Sequence, residues 1–221
     1  MSRVRKKTKT FKQEEFIQCI TNKNYDQFIV GDNILLDNAL CDKFIVIGKD
    51  HDIEYKSNEY KSINIMPVTQ VGALRFGDNN EYETSTIREW INNIYINYSG
   101  FSDDIINLMK YMPIYNAKTE HWFYDRAKLL SWQELGIINN GDMEDEKGIK
   151  YQYFNEGEWD DEDITRWFPE GKYGDKYVYW TRSRHLDKNT NRFPYRVVFN
   201  GFVNAFAQSC RLEGILPVLK F

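Results

Sequence analysis

The sequence predicts an α+β domain, and three observations predict it. Strand-like runs rich in Val, Ile, Phe and Tyr lie towards both ends of the chain, while the strongest helical patterns lie between them in residues 85–111. Strands and helices that segregate rather than alternate argue against a doubly wound sheet. The length, 221 residues, suits one domain with a sizeable insertion, large enough to bury a full core without disulfide or metal staples.

The elements follow in order. Residues 1–12 carry Arg3, Arg5, Lys6, Lys7, Lys9 and Lys12 and no acid, so they read as a flexible basic arm ahead of a single domain over 13–221. FKQEEFIQCITNKNY places Phe16 and Ile20 four apart, one face of a short amphipathic helix that Asn22 or Asn24 ends. QFIVGDNILL and KFIVIGKD are β-rich and flank the loop LDNALCD, which predicts a hairpin. KSINIMPVT alternates Ile63 and Ile65 and then meets Pro67; a proline lacks the ladder donor, so this run is expected at an edge or strand terminus.

The strongest helix is ETSTIREWINNIYINYSG. Thr86 and Glu89 have capping-box spacing, and Ile87, Trp90, Ile91, Ile94, Tyr95 and Tyr98 recur at helical intervals before Gly100. A second helix is predicted after Ser102, with Asp103 and Asp104 in its first turn and Pro113 beyond its end. AKLLSW reads as a short strand, and SWQELG as a capping box from Ser131 to Glu134 stopped by Gly136.

Residues 139–176 are acidic and weakly periodic, and read as a long, irregular surface insertion. Its aromatic residues Tyr153, Phe154, Trp159, Trp167 and Phe168 form the candidate binding surface. Beyond it YVYWTRS, YRVVFNGFVNAFAQ and GILPVLKF are strand-like, and Asn200-Gly201 is a hairpin turn signal.

Composition narrows the function. The net charge is −4, so the six cations of the arm leave −10 on the remainder. A basic arm on an acidic body suits docking to nucleic acid, to an acidic lipid surface or to an acidic protein. Three cysteines, Cys19, Cys41 and Cys210, lie far apart and support neither a disulfide framework nor a zinc site. There is no membrane-length apolar run, no apolar segment behind the basic N-terminus and no phosphate-binding glycine motif. Aromatics at 16% favour broad β-rich cores and binding surfaces.

Three stretches carry candidate chemistry. In YWTRSRHLDK, Ser183 and His185 share a strand face, yet no nucleophile elbow surrounds the serine. Here Trp180 is expected in the core, with Arg182 binding carbonyls or a carboxylate such as Glu89. In GKDHD, Asp50, His51 and Asp52 have ligand chemistry, but three adjacent residues seldom converge on one ion, and a strand end with a hydrogen-bonded histidine is expected. WDDEDITRW offers Asp160, Asp161, Glu162 and Asp163, without calcium-loop spacing.

Six motifs in order then match a known pattern: KNYDQFIVGD, FIVIGKDHD, YETSTIREWINNIYIN, KLLSWQELG, YWTRS and GILPVLKF. Together they resemble an uncharacterised domain family of Firmicutes, gut bacteria and their phages (domain of unknown function 6273), over residues 12–221 apart from the insertion. Thr181 stands where that family usually has Leu, and Leu216 where it usually has Arg. The resemblance implies a C-type-lectin-like fold, related to that of formylglycine-generating enzymes: a twisted antiparallel sheet with two or three helices. It implies a non-enzymatic structural or binding protein, a capsid or tail accessory of a phage particle, made in the host cytoplasm without a signal peptide. Its partners would be other particle proteins or a glycan, and the arm residues Arg3, Arg5, Lys6, Lys7 and Lys9 would dock it to an acidic neighbour or to DNA. Trp90, Arg88, Trp180, Arg182 and Pro217 are then core, with no catalytic residue, metal or cofactor. The alternative is an intracellular hydrolase or transferase using Asp50, His51, Arg182 and His185 in one pocket.

Overall fold

A computed structural model of the chain describes residues 7–51, 61–136, 148–154, 178–184, 194–197, 203–204 and 212–221. The early strands are β1 (Thr10–Phe11), β2 (Asn33–Leu35), β3 (Lys43–Lys49), β4 (Ile63–Pro67) and β5 (Ala73–Leu74). Next come β6 (Met112–Asn116), β7 (His121–Asp125) and β8 (Ala127–Leu129). The late strands are β9 (Tyr179–Arg184), β10 (Pro194–Val197), β11 (Val203–Asn204), β12 (Glu213–Gly214) and β13 (Pro217–Lys220). Helices are α1 (Gln13–Thr21), α2 (Thr86–Glu89), α3 (Ile96–Tyr98), α4 (Asp103–Leu108) and α5 (Trp132–Leu135). The class is α+β.

One sheet runs β1-β2-β3-β4-β13-β8, a second β11-β10-β9-β12-β5, and β6 and β7 form a separate hairpin. Most pairs are antiparallel; β1 with β2 and β12 with β9 are parallel. The expected hairpin of β2 and β3 is present, with Ile34 opposite Phe44. β10 and β11 pair antiparallel on either side of Asn200-Gly201, whose own turn lies outside the described residues.

Of the two positions expected for the run around Pro67, the structure takes the strand terminus and not the sheet edge. β4 pairs with β3 on one side and β13 on the other, and all five of its residues are buried. Pro67 is tolerated because it is the last residue of the strand, beyond Ile65 and Asn64, which pair with β13. The arm is also shorter than expected. The backbone of Lys9 is tied on both sides, donating to Asp32 Oδ1 at 2.7 Å and accepting from Asn33 N. Phe11 is buried and meets Phe28 at 4.6 Å, because β1 adds an edge to the sheet.

The long helix differs in register from the sequence reading. Ser85, not Thr86, caps it: Ser85 Oγ accepts from Arg88 N at 3.1 Å and donates to Tyr82 O. A single turn at Tyr82–Thr84 leads in and buries Ser85, which settles the choice between two adjacent hydroxyl residues. Between α2 and α3 the residues Trp90–Tyr95 form π-helix, with Ile96 N donating to Ile91 O five residues back. The wider turn keeps Ile87, Ile91 and Tyr95 in the core but carries Ile94 and Tyr98 out, to 47% and 79% exposure. Asn92 fastens this segment to β8, donating to Ala127 O and accepting from Ala127 N.

Other local signals appear as read. Ser102 caps α4, and α5 has a complete Ser131–Glu134 capping box with Gly136 in the left-handed region at φ 76°. The larger core gathers Phe16, Phe28, Phe44, Phe76, Ile91 and Trp180 between the sheets and the helices; a second core holds Ile47, Met66, Leu130, Tyr151, Phe154 and Leu216. Among the described residues no helix is long and apolar enough to cross a membrane.

Candidate functional site

β9 carries YWTRSR through the interior. Trp180 is 1% exposed; its Nε1 donates to Leu74 O at 2.8 Å and its ring meets Phe76 edge-on. Phe76 O in turn accepts from Ile87 N at the start of α2, so Trp180 is built into the layer beneath the helix. Trp90 is half-buried, joins the same core and stacks on Tyr95. Pro217 is buried opposite Leu129 in β13.

The carboxylate that meets Arg182 is Glu134, at 3.1 Å, rather than Glu89, which is exposed. Glu134 Oε1 also accepts from Lys128 Nζ at 2.7 Å, and its Oε2 from Ser131 N at 2.9 Å. The acidic partner in the α5 capping box thus doubles as the counter-ion of two buried cations. Burial alone would raise the Glu134 carboxyl, but Arg182 and then Lys128 outweigh it and hold it well below the usual carboxylate range. Ser183 is fully buried and its Oγ accepts from Trp132 N at 2.9 Å.

GKDH has an equally structural account. A side chain on Gly48 would come within 2.7 Å of the Tyr151 ring, so only glycine admits that ring against β3. His51 stacks on the other part of this site, 3.4 Å from Tyr151 at 12°. Asp50, with φ 52°, accepts from Ser62 N at 2.7 Å and so ties the end of β3 to the residue before β4. His185 lies outside the described residues, and the four-residue pocket as a whole with it; of its other members, Arg182 and His51 both act on Glu134 through their charge, Arg182 at 3.1 Å.

Tyr151 belongs to the stretch read as insertion, and its burial is a correction. Phe154, expected on a binding surface, is 1% exposed in the second core, and Tyr153 is half-buried against it. Gln152 secures the segment by pairing both backbone groups of Lys49. Trp159, Trp167, Phe168 and the acids at 160–163 lie outside the described residues, as do Arg3, Arg5 and Lys6; Lys7 and Lys9 are exposed.

The feature that sequence reading missed is the β6–β7 hairpin. Its inner face is anchored by ions: Arg88 grips Asp125 with two hydrogen bonds of 2.8 Å, and Glu83 receives Asn116 at 2.6 Å and His121 at 3.0 Å. Its outer face carries Tyr111, Pro113 and Tyr115 opposite Arg126, Tyr124 and Trp122. Pro113 pairs with Tyr124 and Tyr115 with Trp122, and the Arg126 guanidinium lies 5.4 Å from the Tyr111 ring. Tyr111 and Tyr124 are 58% and 48% exposed. The alternation Tyr111, Pro113, Tyr115 was a signal available in the sequence. Beneath the hairpin a cavity of about 30 Å³, the size of one water, adjoins the Asn80 side chain, whose amide makes no hydrogen bond among the described residues. Among the described residues no group of His, Cys, Asp or Glu is arranged to hold a metal ion.

Compared with known proteins, residues 49–220 match the family model of a domain of unknown function (DUF6273). The match starts at the end of β3, so β1 and β2 precede it although they complete the same sheet. No curated protein and no solved structure matches the chain.

Proposed function

The chain belongs to this family of unknown function, and we propose from its geometry that it is a non-enzymatic binding module. The observation that supports the reading is the burial of the β9 residues: Arg182 and Ser183 are nearly out of water and bonded to α5, so Ser183 is not presented to solvent as a nucleophile would be. The outer hairpin face supplies the contact surface, since the exposed Tyr111 and Tyr124 rings offer rigid area with a polar tip to a protein or glycan. We take the scaffold to be lectin-like and the assembly to be a phage particle, with the basic residues before Lys9 docking to an acidic neighbour or to DNA; the motif resemblance supports these.

The test is the protein purified from its source and sized by light scattering, alongside a Tyr111→Ala, Tyr124→Ala double variant. Co-migration with a particle or defined partner, lost in the double variant at unchanged melting temperature, is the expected result. A lone monomer in both, or an enzymatic activity that vanishes in a folded Asp50→Ala or Arg182→Ala variant, would overturn the reading.

A further inference from the structure

A cavity of about 610 Å³ opens between the C-terminal ends of α1 and α4, within the size range of small-molecule sites. Ile20, Leu108 and Met109 give it an apolar wall. Three lysines, Lys23, Lys61 and Lys110, line it as well, although the body of the protein is acidic.

These lysines arrive from separate places in the chain. Lys23 follows α1 with φ 56°, a left-handed conformation that lysine seldom adopts and that turns the chain back towards Tyr25. Lys110 follows α4 and is fixed there, its backbone N donating to Lys220 O at 2.8 Å. Its Nζ donates to Tyr25 Oη at 3.0 Å and to Lys61 O at 3.3 Å, with the Tyr25 ring 4.9 Å away. Those partners orient the half-buried ammonium without neutralising it. Lys61 pairs with Asp26 at 2.5 Å; among the described residues neither Lys23 nor Lys110 has a carboxylate in ion-pairing distance. Among the described residues, three lysines and Asp26 leave the mouth of the cavity at +2.

We propose that this cavity binds a small phosphate monoester with an apolar body, independently of the hairpin surface. A phosphate monoester carries about −1.5 to −2 at neutral pH and three acceptor oxygens, which matches the charge and the ammonium donors. Its organic part lies on Ile20, Leu108 and Met109, and the Tyr25–Lys110 hydrogen bond sets the head-group position.

Phenyl phosphate, inorganic phosphate and benzoate, titrated into the full chain and followed by calorimetry, test this. Phenyl phosphate is expected to bind one to one, and more tightly than either of the others. Lys110→Met is expected to weaken it about tenfold or more, as loss of a charged hydrogen bond does, while Lys110→Arg retains most of the affinity. Lys23→Asn removes a charge yet suits the left-handed backbone, so it weakens binding without unfolding the chain. Absence of saturable phenyl phosphate binding to the folded wild type, equal binding by folded Lys110→Met and Lys23→Asn, or benzoate binding as tightly as phenyl phosphate would overturn the proposal.

Discussion

Glu134 shows how much one side chain can hold together. It caps its own helix through Ser131 and receives Lys128 and Arg182, all nearly out of water. Removing one partner of a buried ion cluster leaves the others uncompensated, at a cost of about 3–5 kcal/mol. Glu134→Gln is therefore expected to destabilise by that amount in urea titration, although it is almost isosteric. The pH dependence follows from the depressed carboxyl. A group whose folded value lies below its unfolded value stabilises the fold above the unfolded value, here about 4.5, and that stability is lost as pH falls from there towards the folded value. The urea midpoint of the wild type should thus fall below about pH 4.5 with a component that Glu134→Gln lacks. A parallel pH profile in the two proteins would contradict this assignment. The sequence made Glu134 legible as a cap, through S-x-x-E spacing, but its ion partners come from strands β8 and β9.

At the scale of the element, the helix after Ser85 separates pattern from geometry. Periodicity placed Ile91 and Ile94 on one apolar face, which holds for a uniform helix. The π turn makes them inequivalent, burying Ile91 fully and leaving Ile94 at 47% exposure. Ile91→Ala should cost about 2–5 kcal/mol, whereas Ile94→Ala should stay within about 0.5 kcal/mol. Likewise Ser85→Ala should cost about 1 kcal/mol and Thr86→Ala much less, as only Ser85 satisfies a helix amide. Thermal or urea denaturation of the four variants checks both statements; equal losses at Ile91 and Ile94 would restore a regular helix. The wider turn coincides with Asn92 bonding the backbone of Ala127, a contact no local pattern announces.

Across the whole molecule, the sheet joins distant parts of the chain. β13 sits between β4 and β8, and Phe221 beside it packs on Phe16 at 5.0 Å. Phe221 N donates to Ile63 O and accepts from Ile63 N, extending that pairing. Phe221→Ala is expected to lose about 3–5 kcal/mol, comparable to a central core phenylalanine, in spite of its place in the sequence. An effect below about 1 kcal/mol in denaturant unfolding would show that the β4–β13 seam is not integral to the core. The same seam explains why Pro67 marks a strand end but not a sheet edge: its strand is central only because β13 returns from more than 140 residues away.

By itself the sequence determined the α+β class, the β2–β3 hairpin, the caps at Ser102 and Ser131, the burial of Trp180 and the helix stop at Gly136. Each rests on residues within a few positions of one another, where backbone sterics and side-chain alternation act directly. Only the tertiary structure decided that β4 is central, that Tyr151 and Phe154 are core, that Glu134 answers Arg182, and that three lysines share one cavity. Those facts depend on which distant segments exclude water from each other, and that free energy belongs to the packed pair rather than to either stretch alone.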